Sequence, residues 1–322
     1  MLALLHGKAM HEQALLALLP MRAAVISMGT NSCRFLIASL GPGGKFTPEY
    51  HESRGTRLGE GIAPGILLEP AAAERTLAAV TDYAALARHA DRTFAIGTSA
   101  LREAADAGAF AARVHEITNA DLHVLIGDEE AHASFIGARH GLSEAAVAVD
   151  GTLTVADVGG GSAEIARRDG ETLPVRTASL PLGAVRLTER FLVNDPPTSD
   201  ELERCRAAIA LSLAGLENDV RPRGLLACVG GTAATAVRML QAEEVGGVAR
   251  VSATALADLG RAVAALPVGQ RKRMHGLSAQ RADIIAAGLL VLESIAAAAS
   301  AQEVIIVQAD LLTGYLLEHA KP

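Results

Sequence analysis

Two short stretches of the chain, 130 residues apart, repeat one pattern. "VISMGTNS" begins at Val25, and "VADVGGGS" begins at Val155. Each reads as an apolar strand that carries one polar residue, followed by a turn of glycine and small residues and then a serine. Such a turn can direct several backbone N–H groups at one point, which makes a nest for an anion. The repeat therefore predicts two similar halves, each presenting an anion-binding hairpin.

Strands and helices alternate through both halves, which predicts α/β layers. The length of 322 residues predicts two domains, and the 50% hydrophobic content is enough for a large core. In the second half, "TSDELERC" predicts a helix with Ser199 as its N-cap. A third glycine turn, "CVGGTAATA", lies between a strand and a helix.

Composition excludes several classes of protein. A formal net charge of −7 argues against a general nucleic-acid surface. No apolar stretch long enough to span a membrane is free of charge, so no membrane partner is expected. The three cysteines are widely separated and show no CxxC spacing, which predicts buried, reduced thiols in a cytoplasmic protein.

Residues 1–20 precede the first predicted strand. The stretch "ALLALLP" could be the apolar part of a signal peptide, but no small-residue cleavage site follows it. We therefore predict an N-terminal extension over 1–20, either an amphipathic helix or the product of an upstream start. Met21 would be a natural start for the strand.

Acids surround the second glycine turn. Asp157 precedes it and Glu164 follows it. Carboxylates would repel a bound phosphate unless a hard cation such as Mg²⁺ lay between them. Glu129 and Glu130 open a helix just before the second half, where a carboxylate could orient a water as general base. The alternative for this acidic pair is a favourable interaction with the helix dipole.

Eight stretches occur in an order that resembles the exopolyphosphatase / guanosine pentaphosphate phosphohydrolase (Ppx/GppA) family. They are "MGTNSCRFLI", "RLGEGI", "AIGTSALREA", "IGDEEA", "DVGGGSAEI", "LPLGAVRLTERF", "CVGGTAATA" and "RADIIAAG". The resemblance implies an α/β fold of two ribonuclease-H-like domains of the actin-like (ASKHA) class with an interdomain cleft. Domain I would comprise 21–128 with 312–322, and domain II would comprise 129–311.

The resemblance also implies an activity and a set of site residues. The activity is Mg²⁺-dependent, or Mn²⁺-dependent, release of the terminal phosphate from inorganic polyphosphate or of the 5′ γ-phosphate from guanosine pentaphosphate. Guanosine tetraphosphate is a further ligand of this kind, and a homodimer is the assembly implied. By position, Glu130 is the catalytic base, and Asp157 and Glu164 are the metal ligands. The phosphate-binding residues are Thr30, Asn31, Ser32, Arg34, Arg102, Gly159, Gly160, Gly161, Ser162, Gly231 and Thr232.

Two positions depart from the family pattern. Ser27 stands where the family has an aspartate, and Thr313 stands where it has an arginine. A neutral hydroxyl is a poor substitute for a carboxylate in holding Mg²⁺. Ser27 therefore supports an alternative, a degenerate homologue that binds polyphosphate or alarmone with little turnover. A sugar or acetate kinase of the same fold class is a third hypothesis, which the "EEA" and "RADIIAAG" stretches disfavour.

Overall fold

A computed structural model describes residues 20–61 and 63–320 of the chain. The predicted extension 1–20 lies outside these residues except for its last position. The cysteines Cys33, Cys205 and Cys228 are all buried, as predicted. No helix among the described residues is long and apolar enough to cross a membrane.

Among the described residues, five strands form a sheet in the first half of the chain, in the order β3-β2-β1-β4-β5. The strands are β1 (Met21–Met28), β2 (Cys33–Leu40), β3 (Phe46–Arg54), β4 (Arg92–Gly97) and β5 (Leu122–Val124). The helices of this half are α1 (Pro70–Ala87), α2 (Ser99–Glu103) and α3 (Ala107–Thr118). Strands β1 to β3 are antiparallel, whereas β4 and β5 continue the sheet in parallel with β1.

In the part of the chain that the structure describes, seven strands form a second sheet, in the order β10-β11-β12-β9-β6-β7-β8. The strands are β6 (Thr152–Val158), β7 (Ala163–Asp169), β8 (Arg176–Leu180), β9 (Leu225–Val229), β10 (Glu244–Val245), β11 (Val248–Ser252) and β12 (Glu303–Val307). The remaining helices are α4 (Gly127–Glu144), α5 (Ala184–Phe191), α6 (Ser199–Ala214), α7 (Gly230–Leu240), α8 (Ala253–Ala264), α9 (Val268–Arg271), α10 (Ile285–Ala298) and α11 (Leu311–His319). Short 3₁₀ turns occur at Pro42–Gly44 and Ala279–Arg281.

Both sheets are covered on both faces, which gives the predicted α/β layers. In the first sheet, one face packs on α1 and α3, and the other packs on α11 at the end of the chain. In the second sheet, one face packs on the helices α6, α7, α8 and α10, and the other packs on α4. The predicted domain limits, 21–128 with 312–322 and 129–311, separate the two sheets. The boundaries themselves stay a prediction.

The predicted repeat is confirmed in the strand registers. In the β1–β2 hairpin, Ser27 lies directly opposite Arg34. In the β6–β7 hairpin, Asp157 lies directly opposite Glu164. The two pairs therefore occupy equivalent places in the two halves.

The turns of the two hairpins also match. The N–H of Gly29 donates to the carbonyl of Ser32 at 3.0 Å. The N–H of Gly159 donates to the carbonyl of Ser162 at the same distance, 3.0 Å. The same backbone turn thus carries two different sets of side chains.

Helices α4 and α11 cross at glycines. A Cβ at Gly314 would overlap the carbonyl of Ala133, and a Cβ at Gly137 would overlap the carbonyl of Asp310. Glycine therefore lets the two helix backbones touch. Because α4 also packs on β7 and β8, this crossing joins the first half of the fold to the second.

Candidate active site

The tips of the two hairpins meet at a small cavity of about 80 Å³ between the halves. Most of the predicted site residues line it: Thr30, Asn31, Ser32, Arg34, Glu130, Asp157, Gly159, Gly160, Gly161, Ser162, Glu164 and Gly231. Ser27 lines it as well. The structure thus brings together residues that the sequence separates by up to about 200 positions. Two predicted residues, Arg102 and Thr232, do not line this cavity.

The carboxylates of the second hairpin are buried side by side. Burial raises the pKa of Asp157 to about 6, and the negative charge of Asp310 adds to the rise. Burial raises the pKa of Glu164 to about 7, and the charge of Asp157 adds to that rise. The hydroxyl of Ser134 donates to Asp157 at 2.9 Å, and the hydroxyl of Ser179 donates to Glu164 at 2.8 Å. These hydrogen bonds fix the positions of the two carboxylates, and their negative charges repel each other when both are ionised.

Glu130 lies in the first turn of α4, and its side chain is buried. Burial raises the pKa of Glu130 well above its usual range, the charge of Glu164 raises it further, and Arg102 opposes the rise. Arg102 is hydrogen-bonded and ion-paired to the Glu130 carboxylate, and it also donates to the carbonyl of Leu125 at 2.6 Å. Arg102 therefore contacts the carboxylate of Glu130 and holds its position, rather than lining the small cavity itself.

The first hairpin contributes neutral donors and one cation. The side-chain amide of Asn31 donates to the hydroxyl of Ser32 at 3.1 Å, while the buried Asn31 Oδ1 makes no hydrogen bond with the described residues. Arg34 forms an ion pair with Asp310, the N-cap of α11. An arginine anchored in this way presents a fixed positive charge at the cavity.

The third glycine turn begins helix α7 beside the acids. Gly230 has a φ of +80°, and a Cβ there would overlap the carboxylate of Asp157. Glycine is therefore required both for the backbone conformation and for the close approach. The hydroxyl of Thr232 donates to the carbonyl of Val158 at 2.9 Å, so it tethers the turn to the second hairpin. Of the predicted residues in this turn, Gly231 alone reaches the cavity.

Arg281 is a site residue that sequence reasoning missed. It lines the small cavity, and its guanidinium donates to the Ser32 hydroxyl at 3.4 Å. Burial, with the charges of Arg34 and Arg238 nearby, lowers the pKa of Arg281 to about 10. No carboxylate forms an ion pair with it among the described residues, so its charge is available to an anion. The sequence could have indicated this residue, because Arg281 is the first residue of "RADIIAAG", one of the stretches that carry the family resemblance.

The donor set suits a magnesium ion that is completed by the substrate. The described residues contain no group of three or more His, Cys, Asp or Glu side chains that could hold a metal ion. Mg²⁺, however, is commonly bound by one or two carboxylates together with water and substrate phosphates. Asp157 and Glu164 are two such carboxylates, and their mutual repulsion favours a cation between them. Ser27 adds an oxygen but no charge.

A larger cavity of about 790 Å³ adjoins the small one. The two share the lining residues Asn31, Ser32, Arg34, Gly231 and Arg281. Farther out, the lining mixes a third arginine, Arg238, with apolar side chains such as Leu36 and Phe46, and Thr313 lies there as well. This volume is within the range of ligand pockets, about 300–1,000 Å³. A ligand in it would reach the small cavity at the arginines.

Comparisons with known proteins identify the family of the chain. The model of the Ppx/GppA phosphatase family matches residues 36–321. Exopolyphosphatase 2 of Mycobacterium tuberculosis is 33% identical over 320 residues, covering 93% of this chain and 98% of that protein. Exopolyphosphatase 1 of the same species is 28% identical and covers 92% and 88%.

Solved structures show the same fold. The Ppx/GppA enzyme of Aquifex aeolicus matches with a TM-score of 0.75 and 25% identity, covering 93% of this chain and all of that one. An exopolyphosphatase from Cytophaga hutchinsonii matches with a TM-score of 0.82 at 24% identity, covering 92% and 98%. The predicted fold class, two actin-like α/β halves with a cleft between them, is confirmed.

Proposed function

Because this chain belongs to the Ppx/GppA phosphatase family, we propose that it hydrolyses the terminal phosphoanhydride bond of inorganic polyphosphate and releases phosphate. The observation that carries the proposal is the position of Glu130. Its buried carboxylate, with a raised pKa, faces the cavity where the two hairpins meet. Anhydride hydrolysis needs positioning, neutralised charge and one oriented water, and this cavity has groups for each.

The proposed mechanism assigns binding to the first hairpin and the cationic side chains. The hydroxyls of Thr30 and Ser32 and the guanidinium groups of Arg34 and Arg281 bind the oxygens of the terminal phosphate. Backbone N–H groups of the glycine turn at Gly160 bind it from the facing hairpin. These groups hold the terminal phosphorus next to the carboxylate of Glu130.

Glu130 acts as the general base. Its carboxylate accepts a proton from the attacking water while the water oxygen bonds to the terminal phosphorus. The bond from that phosphorus to the bridging oxygen breaks, and the shortened chain leaves with that oxygen and its negative charge. A base with a raised pKa suits proton transfer near neutral pH. Arg102 keeps the carboxylate oriented towards the water.

The metal site is part of the proposal. Asp157 and Glu164 would hold Mg²⁺, or Mn²⁺, between them and the substrate oxygens. The ion would neutralise the charge on the phosphates. Ser27 cannot add a third carboxylate, so the site depends on these two side chains. The degenerate alternative predicts that this loss leaves binding intact and turnover low.

Guanosine pentaphosphate is a second candidate substrate. The observation that favours it is the 790 Å³ cavity with apolar side chains, because a polyphosphate chain has no apolar part to place there. Its 5′ γ-phosphate would occupy the small cavity, while the nucleoside lay against Leu36 and Phe46. Guanosine tetraphosphate would bind in the same place as a ligand.

A side-by-side phosphate-release assay tests the proposal. The substrates are short polyphosphate, long polyphosphate and guanosine pentaphosphate, each with Mg²⁺ and with Mn²⁺. We expect release from at least one substrate and a loss of about 10²–10⁴-fold in Glu130→Gln, which is the usual contribution of a general base. Glu129→Gln is the matched control, because Glu129 lies on the same helix turn but is exposed.

Two outcomes would contradict the proposal in different ways. An unchanged rate in Glu130→Gln would overturn the mechanism. Tight binding of polyphosphate with no metal-dependent release in the wild type would favour the degenerate homologue.

A cytoplasmic homodimer completes the proposal. The resemblance implies the dimer, and the buried thiols fit a reducing compartment. Analytical ultracentrifugation at several concentrations measures the assembly directly, and a single monomer-sized species at all of them would contradict the dimer.

A further inference from the structure

A second outer cavity reaches the small cavity from another side. It has a volume of about 230 Å³ and shares Thr30 and Gly161 with the small cavity. Its lining has no residue in common with the 790 Å³ cavity. Two outer cavities, of about 790 Å³ and 230 Å³, therefore adjoin the small cavity, and each shares different residues with it.

The inference rests on the proposed function. It concerns a polyphosphate chain that stays bound to the protein through several cleavages. A polyphosphate chain that fills the 790 Å³ cavity leaves its terminal phosphate in the small one. After cleavage, the new phosphate lies at the inner end, and the remaining chain blocks the way by which the substrate came. Repeated cleavage of one chain then needs a separate way out for the product.

An ion pair joins the two halves beside the second cavity. Arg186, at its wall, pairs with Glu103 of α2 and donates to the carbonyl of Gly161 at 2.7 Å. Ser99 donates to the same Glu103 carboxylate at 3.3 Å, but the other oxygen of Glu103 is buried without a hydrogen bond among the described residues. The pair is thus incompletely satisfied, and an unsatisfied buried oxygen makes the closed arrangement less stable.

The hairpin tips complete the closure. A Cβ at Gly161 would lie 2.5 Å from the Ser99 hydroxyl and 2.7 Å from the Thr30 hydroxyl. The turn of the second hairpin therefore packs closely against Thr30 and Ser99 of the first half. Since Arg186 belongs to the second half and Glu103 to the first, a slight separation of the two halves would break this ion pair.

We propose that the product phosphate leaves through this second cavity and that the Arg186–Glu103 ion pair is its gate. The phosphate anion competes with the Glu103 carboxylate for the guanidinium of Arg186. Arg190 adds a second positive charge to the lining of this cavity, and the negative charge of the exposed Glu189 favours release into solvent. Arg186 is a positioning residue for product release and does not touch the reacting atoms before cleavage.

The experiment blocks the 230 Å³ cavity with a bulky label and leaves the catalytic groups unchanged. Glu189→Cys places a thiol on the cavity wall, and the three native cysteines are buried, so a bulky maleimide labels this position selectively. Cleavage of the first phosphate is followed by rapid quench, and free phosphate is followed with a fluorescent phosphate sensor. Unlabelled Glu189→Cys is the reference. Labelled Glu203→Cys, at an exposed position on α6, is the matched control.

We expect the label at position 189 to leave the first cleavage unchanged and to slow phosphate release. Steady-state turnover of long polyphosphate falls by at least about fivefold, because release then limits the rate. Tripolyphosphate is affected less, since its remainder dissociates after one cleavage and frees the other way out. The labelled control variant behaves as the wild type does.

Other results would overturn the outlet. Equal turnover with and without the label would do so, and so would a label that slows the first cleavage as much as release. An effect that is the same for long and short chains would also contradict it. A wild-type protein that releases no phosphate from any chain would overturn the proposed function itself, and the outlet with it.

Discussion

The two hairpins share a backbone and differ in charge. The first places Ser27 opposite Arg34, and the second places Asp157 opposite Glu164. With all groups ionised, the first pair carries one positive charge and the second carries two negative charges. The turn hydrogen bonds are nevertheless the same, at 3.0 Å in each.

Under the proposed function, this difference means that one structural unit, used twice, has two different roles in phosphate hydrolysis. The first hairpin offers hydroxyls and a cation, which bind an anion. The second offers carboxylates, which under the proposed function would hold a cation and a water. Ser27, the departure from the family pattern, lies on the hairpin that already faces a cation. Its neutral side chain adds no second acid beside Arg34, whose guanidinium is already ion-paired with Asp310.

The largest effect is expected from removing the acids of the second hairpin. Asp157→Asn and Glu164→Gln each remove a carboxylate proposed to hold Mg²⁺, so we expect kcat to fall by about 10²–10³-fold. The matching change in the first hairpin, Ser27→Ala, removes no charge and leaves kcat close to the wild-type value. Steady-state phosphate release measures all three variants. Equal losses at Ser27 and Asp157 would remove the distinction between the hairpins.

The next largest effect is expected from replacing the two arginines that line the small cavity, Arg34 and Arg281. Arg281→Met removes a cation without an acidic partner, so we expect KM for polyphosphate to rise about 10–100-fold. The free protein gains stability, because an unpaired charge is no longer enclosed. Arg34→Met also weakens binding, but it leaves Asp310 without its partner and lowers the Tm. A loss of stability in both variants would contradict the unpaired state of Arg281.

The pH dependence of stability separates the hairpins further. Asp157 and Glu164 have pKa values of about 6 and about 7 in the folded protein, against about 4 when unfolded. The folded state therefore binds more protons between these values, and stability falls as pH rises through them. In a chelating buffer, we expect Glu164→Gln to raise the Tm near pH 7.5 and to change it little near pH 4. Ser27→Ala is the control and should shift the Tm equally at both pH values.

The smallest effect is expected from restoring the family acid. In Ser27→Asp, the new carboxylate faces Arg34 across the strands, and we expect it to pair with that cation rather than hold Mg²⁺. Phosphate release should change by less than about threefold. A large gain in rate would instead identify Ser27 as the lost metal ligand and support the degenerate homologue.

Local patterns predicted much of the fold. The repeat of small residues around Gly29 and Gly159 indicated matching turns, and the acids at the start of α4 indicated its first turn. The helix near 199 was also predicted, but its N-cap is Thr198 rather than Ser199. Thr198 accepts from the Glu201 N–H at 3.3 Å, and Glu201 accepts in return from the Thr198 N–H at 2.8 Å. The spacing of this capping box, threonine and then glutamate three residues later, was readable in the sequence.

The sequence predicted strands over about the first 40 residues after Met21 but did not delimit β3. It is an edge strand whose residues are mostly exposed, so it shows no alternation of apolar and polar side chains. It also contains Pro48, next to a register shift opposite Ile37 and Ala38. Proline in an apolar run argues against a strand in general but is tolerated at sheet edges and bulges. Whether a strand lies at the edge is decided by how the whole sheet assembles, and the local sequence does not show this.

The candidate site was predictable where residues cluster in motifs and not where they meet across the fold. The hairpin residues and Glu130 came from contiguous stretches. Arg281 and the contact between Arg102 and Glu130 depend on how distant segments pack. Thr232 belongs to a motif, yet its hydroxyl donates to the carbonyl of Val158 and does not line the small cavity. A motif identifies a segment, whereas the packing decides which side chain of that segment reaches the substrate.

The source of the oxygen in the released phosphate tests the central claim most directly. Long polyphosphate is hydrolysed with Mg²⁺ in water enriched in oxygen-18, and phosphate and shortened chain are examined by mass spectrometry. Attack by a Glu130-activated water on the terminal phosphorus predicts one heavy oxygen in each released phosphate and none in the chain. In Glu130→Gln, both products form about 10²–10⁴-fold more slowly. Heavy oxygen in the chain, or unlabelled phosphate, would contradict the account.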